Sequence, residues 1–501
     1  MEGLDRWYPF VVLAVGLAVV LGGIVIARVN AFLALIAAAL VVSFMVGGGG
    51  ATQATAEPVG RVVDAFGATA GAIGITIAFA AIIGDAMMRS GAADRIVRMF
   101  LDLLGEKRAG TALMGSGYVL SIPVFFDTTF YLLVPLARSL YRNTRRHYLK
   151  YLSAIAAGGV ATHALVPPTP GPLFVANMFD VNLGVMIGVG VLVALPASIA
   201  GLALGAFLDR RGPLHPMGGP AEDPGAVATA GLEPLRPPHL LVALLPIVLP
   251  IVLIAGDSAV KALAQRDLVA ADAEARLLRG DDLTRSLLTA ADQGHGAAAL
   301  YRWSRVLGNP NLALLFSASI ALTTLWTRRR ALSLPVAQIV EGALMSAGVI
   351  ILITAAGGAF GAMLRAAGLG DAIKGLAEAA GGGSPRLLSG LPLLALAFVV
   401  SSVIKFAQGS STTAMIVTSG MLVAMVDPQG LSFHAVYLAL AVGAGSLVGT
   451  WMNDSGFWIF AKMGGLSEIQ TLRSWTPVVG LVGTVAFLTT VVLAWLLPLK
   501  P

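Results

Sequence analysis

Two stretches decide how this chain folds: Thr162–Pro172 (THALVPPTPGP) and Trp451–Trp458 (WMNDSGFW). Each interrupts a long apolar run. Proline and small polar residues do not continue a helix cleanly, and in hydrocarbon every freed N–H and C=O needs another partner. Broken backbone at membrane depth survives only where it is buried in protein or lines a cavity. Two such breaks in matching positions of two halves predict the binding site of a transported solute.

The rest of the composition agrees with a membrane setting. Of 501 residues, 57% are hydrophobic and 12% charged, with a mean hydropathy of +0.83. Soluble domains carry about 25% charged residues. Runs such as 10–27, 32–46, 183–208 and 478–497 have the length of a bilayer span. The net charge of +6 sits in short loops, so it is no nucleic-acid signal. Cysteine is absent, which removes disulfides, thiol chemistry and cysteine metal sites. The first apolar run lacks an A-x-A-like cleavage site and reads as a retained span.

In chain order, spans are expected near 8–27, 30–48 and 67–88, followed by an amphipathic interfacial segment at 89–108. Residues 110–137 are apolar but carry Pro123, Asp127, Thr128 and Thr129 at their centre. Both flanks are basic, so this stretch is expected to enter and leave on the cytoplasmic side as a re-entrant hairpin with its tip near Asp127. The loop 138–150 (RSLYRNTRRHYLK) is placed in the cytoplasm. A broken helix at 150–182, interrupted at 167–172, and a span at 183–208 follow. The Pro- and Gly-rich stretch 209–239 is a cytoplasmic linker. Spans at 239–255, 311–327 and 338–364 come next, with a mixed-charge segment 256–310 on the periplasmic side.

The second half then repeats the first. Gly84, Gly91, Asp94, Ile96 and Gly105 match Gly361, Gly368, Asp371, Ile373 and Gly382 at an offset of 277. Thr128 and Thr129 match Thr412 and Thr413 at 284, and Thr169–Pro172 falls on Asn453–Gly456 at the same 284. The loop after the first hairpin is basic, whereas 426–433 (VDPQGLSF) has neither Lys nor Arg. That asymmetry predicts an inverted repeat, with the second hairpin entering from the periplasm. The expected fold is therefore an all-α polytopic membrane protein of about ten spans plus two hairpins. Its parts are N-terminal spans 1–60, a first repeat 61–208, the linker 209–239, two spans with the insertion at 240–337, and a second repeat 338–501.

Chemistry concentrates at the tips and breaks. A carboxylate at membrane depth costs roughly 3 kcal/mol or more, so Asp127 reads as a proton carrier lining water, or else as a cap for free N–H groups at the tip. The facing tip, Gly409-Ser410-Ser411-Thr412-Thr413, offers close backbone approach, hydroxyls and helix N-termini to an anion. Thr169, Pro170 and Gly171 form the first break, and Asn453, Asp454 and Ser455 the second. Asp454 has three readings: a cation ligand, a proton carrier or a cap. His163 has two, a structural hydrogen bonder or a relay. Lys405 either neutralises an anion or snorkels to the interface. No HExxH, P-loop or GxSxG is present, so neither a metal nor another cofactor is expected, and uphill movement would draw on an ion gradient. A channel and a membrane enzyme using Asp127 with Asp454 are the readings from other classes. Broken-helix repeats argue against the first. The lack of any accompanying nucleophile or metal set argues against the second.

These residues carry a resemblance. The stretches 82–96 (IIGDAMMRSGAADRI), 122–140 (IPVFFDTTFYLLVPLARSL), 162–173 (THALVPPTPGPL), 357–373 (GGAFGAMLRAAGLGDAI), 406–420 (FAQGSSTTAMIVTSG) and 442–475 (VGAGSLVGTWMNDSGFWIFAKMGGLSEIQTLRSW) resemble the gluconate permease (GntP) family of proton symporters. The resemblance implies proton-coupled uptake of gluconate or a related small hydroxy acid across the bacterial inner membrane. Some members of the family carry D-serine instead. Through the wider ion-transporter superfamily it implies tips and breaks that form the substrate site, an elevator-like motion, and a homodimer. The chain departs from the family pattern at Thr169, where His is usual in PPxPGP, and at Thr450-Trp451-Met452, where a His is common.

Overall fold

The computed structural model describes residues 7–27, 29–46, 58–212, 238–271, 280–292, 296–332, 334–368, 372, 390–426, 431–452 and 454–499. Most of the linker 209–239, the matches at Asp371, Ile373 and Gly382, and the site candidate Asn453 lie outside the described residues. Everything regular among the described residues is helix.

The N-terminal helices are α1 (Tyr8–Leu21), α2 (Ala31–Val46), α3 (Pro58–Arg89) and the amphipathic α4 (Ala92–Leu104). The first hairpin is α5 (Ala109–Leu120) and α6 (Phe126–Thr144), and the first broken helix is α7 (Tyr148–Leu165) and α8 (Pro170–Met178). The long α9 (Leu183–Arg211) closes this half. A middle group follows: α10 (Leu240–Ala271), α11 (Gly280–Asp292), α12 (Gly296–Leu307) and α13 (Pro310–Trp326). The last set is α14 (Val336–Ala366), the second hairpin α15 (Leu391–Gln408) and α16 (Ser411–Met425), the second broken helix α17 (Ala435–Gly445) and α18 (Ser455–Gly464), and α19 (Glu468–Leu496).

Among the described residues six helices are long and apolar enough to cross a membrane: 58–89, 148–178, 183–211, 240–269, 336–366 and 468–496. The bent pair 300–307 and 310–326, which meets at 58°, makes a seventh, and shorter apolar helices lie at 8–20, 31–46, 391–406, 411–425 and 435–445.

Three boundaries differ from the sequence reading. The basic stretch 138–150 is no open loop: α6 runs to Thr144, because Arg and Tyr do not stop a helix. The turn comes instead from left-handed Arg145 (φ 54°) and His147 (φ 68°). The first break is shorter than 167–172, because Pro170 and Pro172 fit the first turn of α8, where their missing N–H groups are unpaired anyway. The insertion 256–310 begins inside α10, which continues without a breaker to Ala271.

Side-chain caps start several of the later helices. Asn182 Oδ1 accepts from the N–H groups of Gly184 (2.8 Å) and Val185 (3.2 Å) at the start of α9. Ser467 and Gln470 make a reciprocal capping box at α19. The two halves pack alike: α7 lies between α5 and α9, and α17 between α15 and α19, while α3 and α14 pack on each other. Helix starts recur at an offset of 285: Phe126 and Ser411, Pro170 and Ser455, Leu183 and Glu468. The central helix α7 is covered on every side, with Tyr148, Ala154, Gly158, Ala161 and Leu165 all buried.

Candidate functional site

The tips and breaks are exchanged between halves. The start of α8 meets α16, so closely that a Cβ on Gly171 would lie 2.1 Å from the Met415 methyl. Reciprocally, α18 packs on α6. Between them lies a cavity of about 410 Å³, within the usual range for small-molecule sites.

Three helix N-termini bring polar groups to this cavity. Asp127 and Thr128 come from the first turn of α6, Ser410, Ser411 and Thr412 from the start of α16, and Asp454 and Ser455 from the start of α18. Unpaired N–H groups and the helix dipole make such ends favourable to an anion. His163 on α7 joins them, edge-on to Phe125 at 6.1 Å between ring centroids. Its buried Nδ1 has no hydrogen-bond partner among the described residues.

Each polar group has a distinct status. Ser410 Oγ caps α16, accepting from Thr413 N–H (3.2 Å) and Thr413 Oγ1 (3.0 Å). Ser411 donates to the Ser446 carbonyl (2.8 Å), which leans the second tip on the end of α17. Asp454 is spoken for at both oxygens: Oδ1 accepts from Gly456 N–H (3.1 Å) and Oδ2 pairs with Lys405 Nζ (3.0 Å). Of the three roles open to Asp454 from sequence, the geometry shows the cap. Among the described residues the Asp127 carboxylate has no hydrogen bond or ion pair, and neither do the hydroxyls of Thr128, Thr412 and Ser455.

The other expected site residues stand off the cavity wall. Thr129 is fully buried, its hydroxyl without a partner among the described residues. Thr169 is buried and donates to the Val166 carbonyl (2.6 Å). Pro170 and Gly171 are buried in the α8–α16 contact. Thr413 is committed to Ser410. Gly409 provides the left-handed turn (φ 86°) between α15 and α16, and its carbonyl accepts from Lys405.

Three residues were undervalued from sequence. Lys405 neither snorkels nor faces the cavity; it is 1% exposed and paired. A lone Lys deep in an apolar run was the signal, since such a charge needs a partner. Trp475 of α19 lines the cavity and packs at a tilt against Phe126 (5.4 Å) and Phe460 (5.3 Å), and Ser346 of α14 also lines it. Neither belongs to a tip or a break, so local sequence gave no signal for them.

Comparison with known proteins fits this architecture. Residues 8–496 match the GntP family permease profile. The chain is 33% identical to an uncharacterized permease of Haemophilus influenzae over 92% of this chain and 87% of that one. It is 32% identical to a gluconate permease of Pseudomonas aeruginosa over 85% and 87%. In structure it resembles the YdaH transporter of Alcanivorax borkumensis, with a TM-score of 0.59 at 15% identity, covering 94% of this chain and 99% of that one.

Proposed function

Since this chain belongs to the GntP permease family, it is a membrane transporter, and we propose that it takes up gluconate or a related small hydroxy acid together with a proton. It is a multi-pass protein of the bacterial inner membrane. The gluconate permease of Pseudomonas aeruginosa supports the sugar-acid reading. The observation that carries it is the cavity itself: three helix N-termini, with hydroxyls and one carboxylate that have no partner among the described residues.

In this reading the acid lies between the tips at Asp127–Thr128 and Ser410–Thr412 and the break at Asp454–Ser455. Asn453, beside Asp454 in the sequence, is assigned to the same break on the sequence alone. The N-termini and hydroxyls hold its carboxylate and hydroxyl groups, and His163 closes the wall. Thr129, Thr169, Pro170, Gly171, Gly409 and Thr413 shape the tips and the break from behind. Asp127 supplies the coupling. An anion next to an ionised carboxylate is repelled, so the acid is held when Asp127 carries a proton, and the two cross together. The recurring helix starts support two repeats related by inversion, with the division near 209–239.

The test is uptake of labelled gluconate into proteoliposomes under an inward proton gradient without sodium. D-serine and a panel of sugar acids serve as competitors. Accumulation that collapses with a protonophore is expected. Uptake competed by D-serine and not by sugar acids would overturn the substrate class, and uptake driven by sodium alone would overturn the coupling.

A further inference from the structure

The Lys405–Asp454 pair crosses from the end of α15, at the second hairpin tip, to the start of α18, at the second helix break. Nζ lies 3.0 Å from Asp454 Oδ2, and the same ammonium donates to the carbonyl of Gly409 at the tip. Lys405 is 1% exposed and the Asp454 side chain 12%. One cation thus ties three things together: the tip carbonyl, the break carboxylate and, through Asp454 Oδ1, the N–H of Gly456 in α18.

Among the described residues the first half has no such tie at the positions that the helix starts align. Leu120 stands 285 positions before Lys405, and Thr169 stands 285 before Asp454. Leu120 is buried and apolar, and Thr169 donates within its own turn to Val166. So the second tip is bound to its break by charge, whereas at these positions the first half offers a leucine and a hydroxyl.

We propose that Lys405 is a positioning residue for coupled transport, holding Asp454 as the charged cap of α18 and leaving Asp127 as the one cavity carboxylate that exchanges a proton. Asp127 is unpartnered among the described residues, whereas both oxygens of Asp454 are occupied. Giving a proton to Asp454 would break an ion pair and strand an ammonium that water does not reach. Nothing else that faces the cavity competes. His163 on α7 is the only other titratable lining group among the described residues, and α14, α16 and α19 bring Ser346, Ser411, Thr412 and Trp475. The remaining charges at α18 are engaged at its far end, with Lys462 over the Trp458 ring and Arg138 donating to the Met463 carbonyl (2.6 Å).

This inference rests on the proton-coupled reading above, and its test separates the two. Lys405→Met, Asp454→Asn and the double variant are compared with wild type by thermal stability in detergent and by uptake in liposomes. Each single variant leaves a buried charge unpaired and is expected to melt lower and to lose uptake. The double variant removes both charges and keeps an Asn cap at α18, so its melting temperature should recover toward wild type. Singles as stable as wild type would overturn the clamp, and this arm does not depend on the substrate. Whatever uptake the double variant retains should keep the wild-type pH profile and proton-to-substrate ratio, which is the expected coupling result. A double variant that exchanges substrate across the membrane but no longer accumulates it would make Asp454 the carrier and overturn the proposal. A further measurement uses Asp127→Asn, which keeps the Lys405–Asp454 pair. Substrate-induced proton movement, read with an internal pH dye, should vanish there, and persistence of that movement would overturn it as well.

Discussion

Gly158 on α7 lies against Met114 on α5 so closely that a Cβ would stand 2.1 Å from the Met114 carbonyl oxygen and 2.9 Å from Tyr118 N. Gly117 answers from the other side, its would-be Cβ 2.9 Å from the Ile155 carbonyl oxygen. The obstacles are backbone atoms, which do not rotate aside. Gly158→Ala must therefore push the hairpin arm off the broken helix, at the upper end of the roughly 1–3 kcal/mol that overpacking costs. Melting in detergent should show the loss, while Gly71→Ala, with nothing within 4 Å of its Cβ, should melt like wild type.

Asp127→Asn should abolish proton-driven accumulation while sparing exchange of substrate between the two sides. The amide keeps the shape of the side chain at the head of α6 and gives up only its titration. Concentrative uptake and counterflow, measured on the same vesicles, check this. Retained uphill uptake with normal pH dependence would remove Asp127 from the coupling.

Thr128→Val and Thr412→Val are isosteric changes that remove hydroxyls with no partner among the described residues. Stability should therefore be untouched. If each hydroxyl binds substrate, its loss should cost about 1 kcal/mol, or about a fivefold rise in KM. Transport kinetics against substrate concentration measure it. A melting shift without a KM shift would make these hydroxyls structural.

His434 caps α17 through Nδ1, which accepts from Val436 N–H (3.1 Å), and its own N–H donates to the Pro498 carbonyl (2.8 Å). Burial holds its imidazole below the ordinary value of 6.5. The unfolded chain thus takes up the proton first, so stability is full above about pH 6.5 and falls as pH drops toward the folded value. Melts at pH 7.5 and pH 5 should differ in that direction. His434→Asn, which still caps, should lose that part of the difference.

The elements at the tips and breaks were legible because their signals are local. Pro167, Pro168 and Gly409 interrupt helices through their own backbone chemistry, and the match of DTT against STT pointed to a second copy of the pattern one residue off the spacing at which the helix starts recur. The helix through RSLYRNT was missed because positive charge marks the membrane side without saying anything about backbone. Asp454 stayed ambiguous until its partner was known. Lys405 lies 49 positions before it, and only the return of the chain through α16 and α17 brings the two within 3.0 Å. Trp475 and Ser346 reach the cavity from helices whose own sequences show only apolar periodicity.

The sheathing of α7 has a consequence for how the protein is made. The segment Tyr148–Met178 has a mean hydropathy of 1.3, against 2.0 or more for the other five long candidates, and 89% of its most apolar window is covered by protein. Lipid is never its finished solvent. Yet synthesis delivers it to the membrane before α9 and α19, which form much of its wrapping, have emerged. A segment so weakly apolar gains little from entering lipid alone. Its insertion is therefore expected to be completed late, and chains cut short before Leu183 hold a central helix that lacks its most extensive covering neighbour, α9.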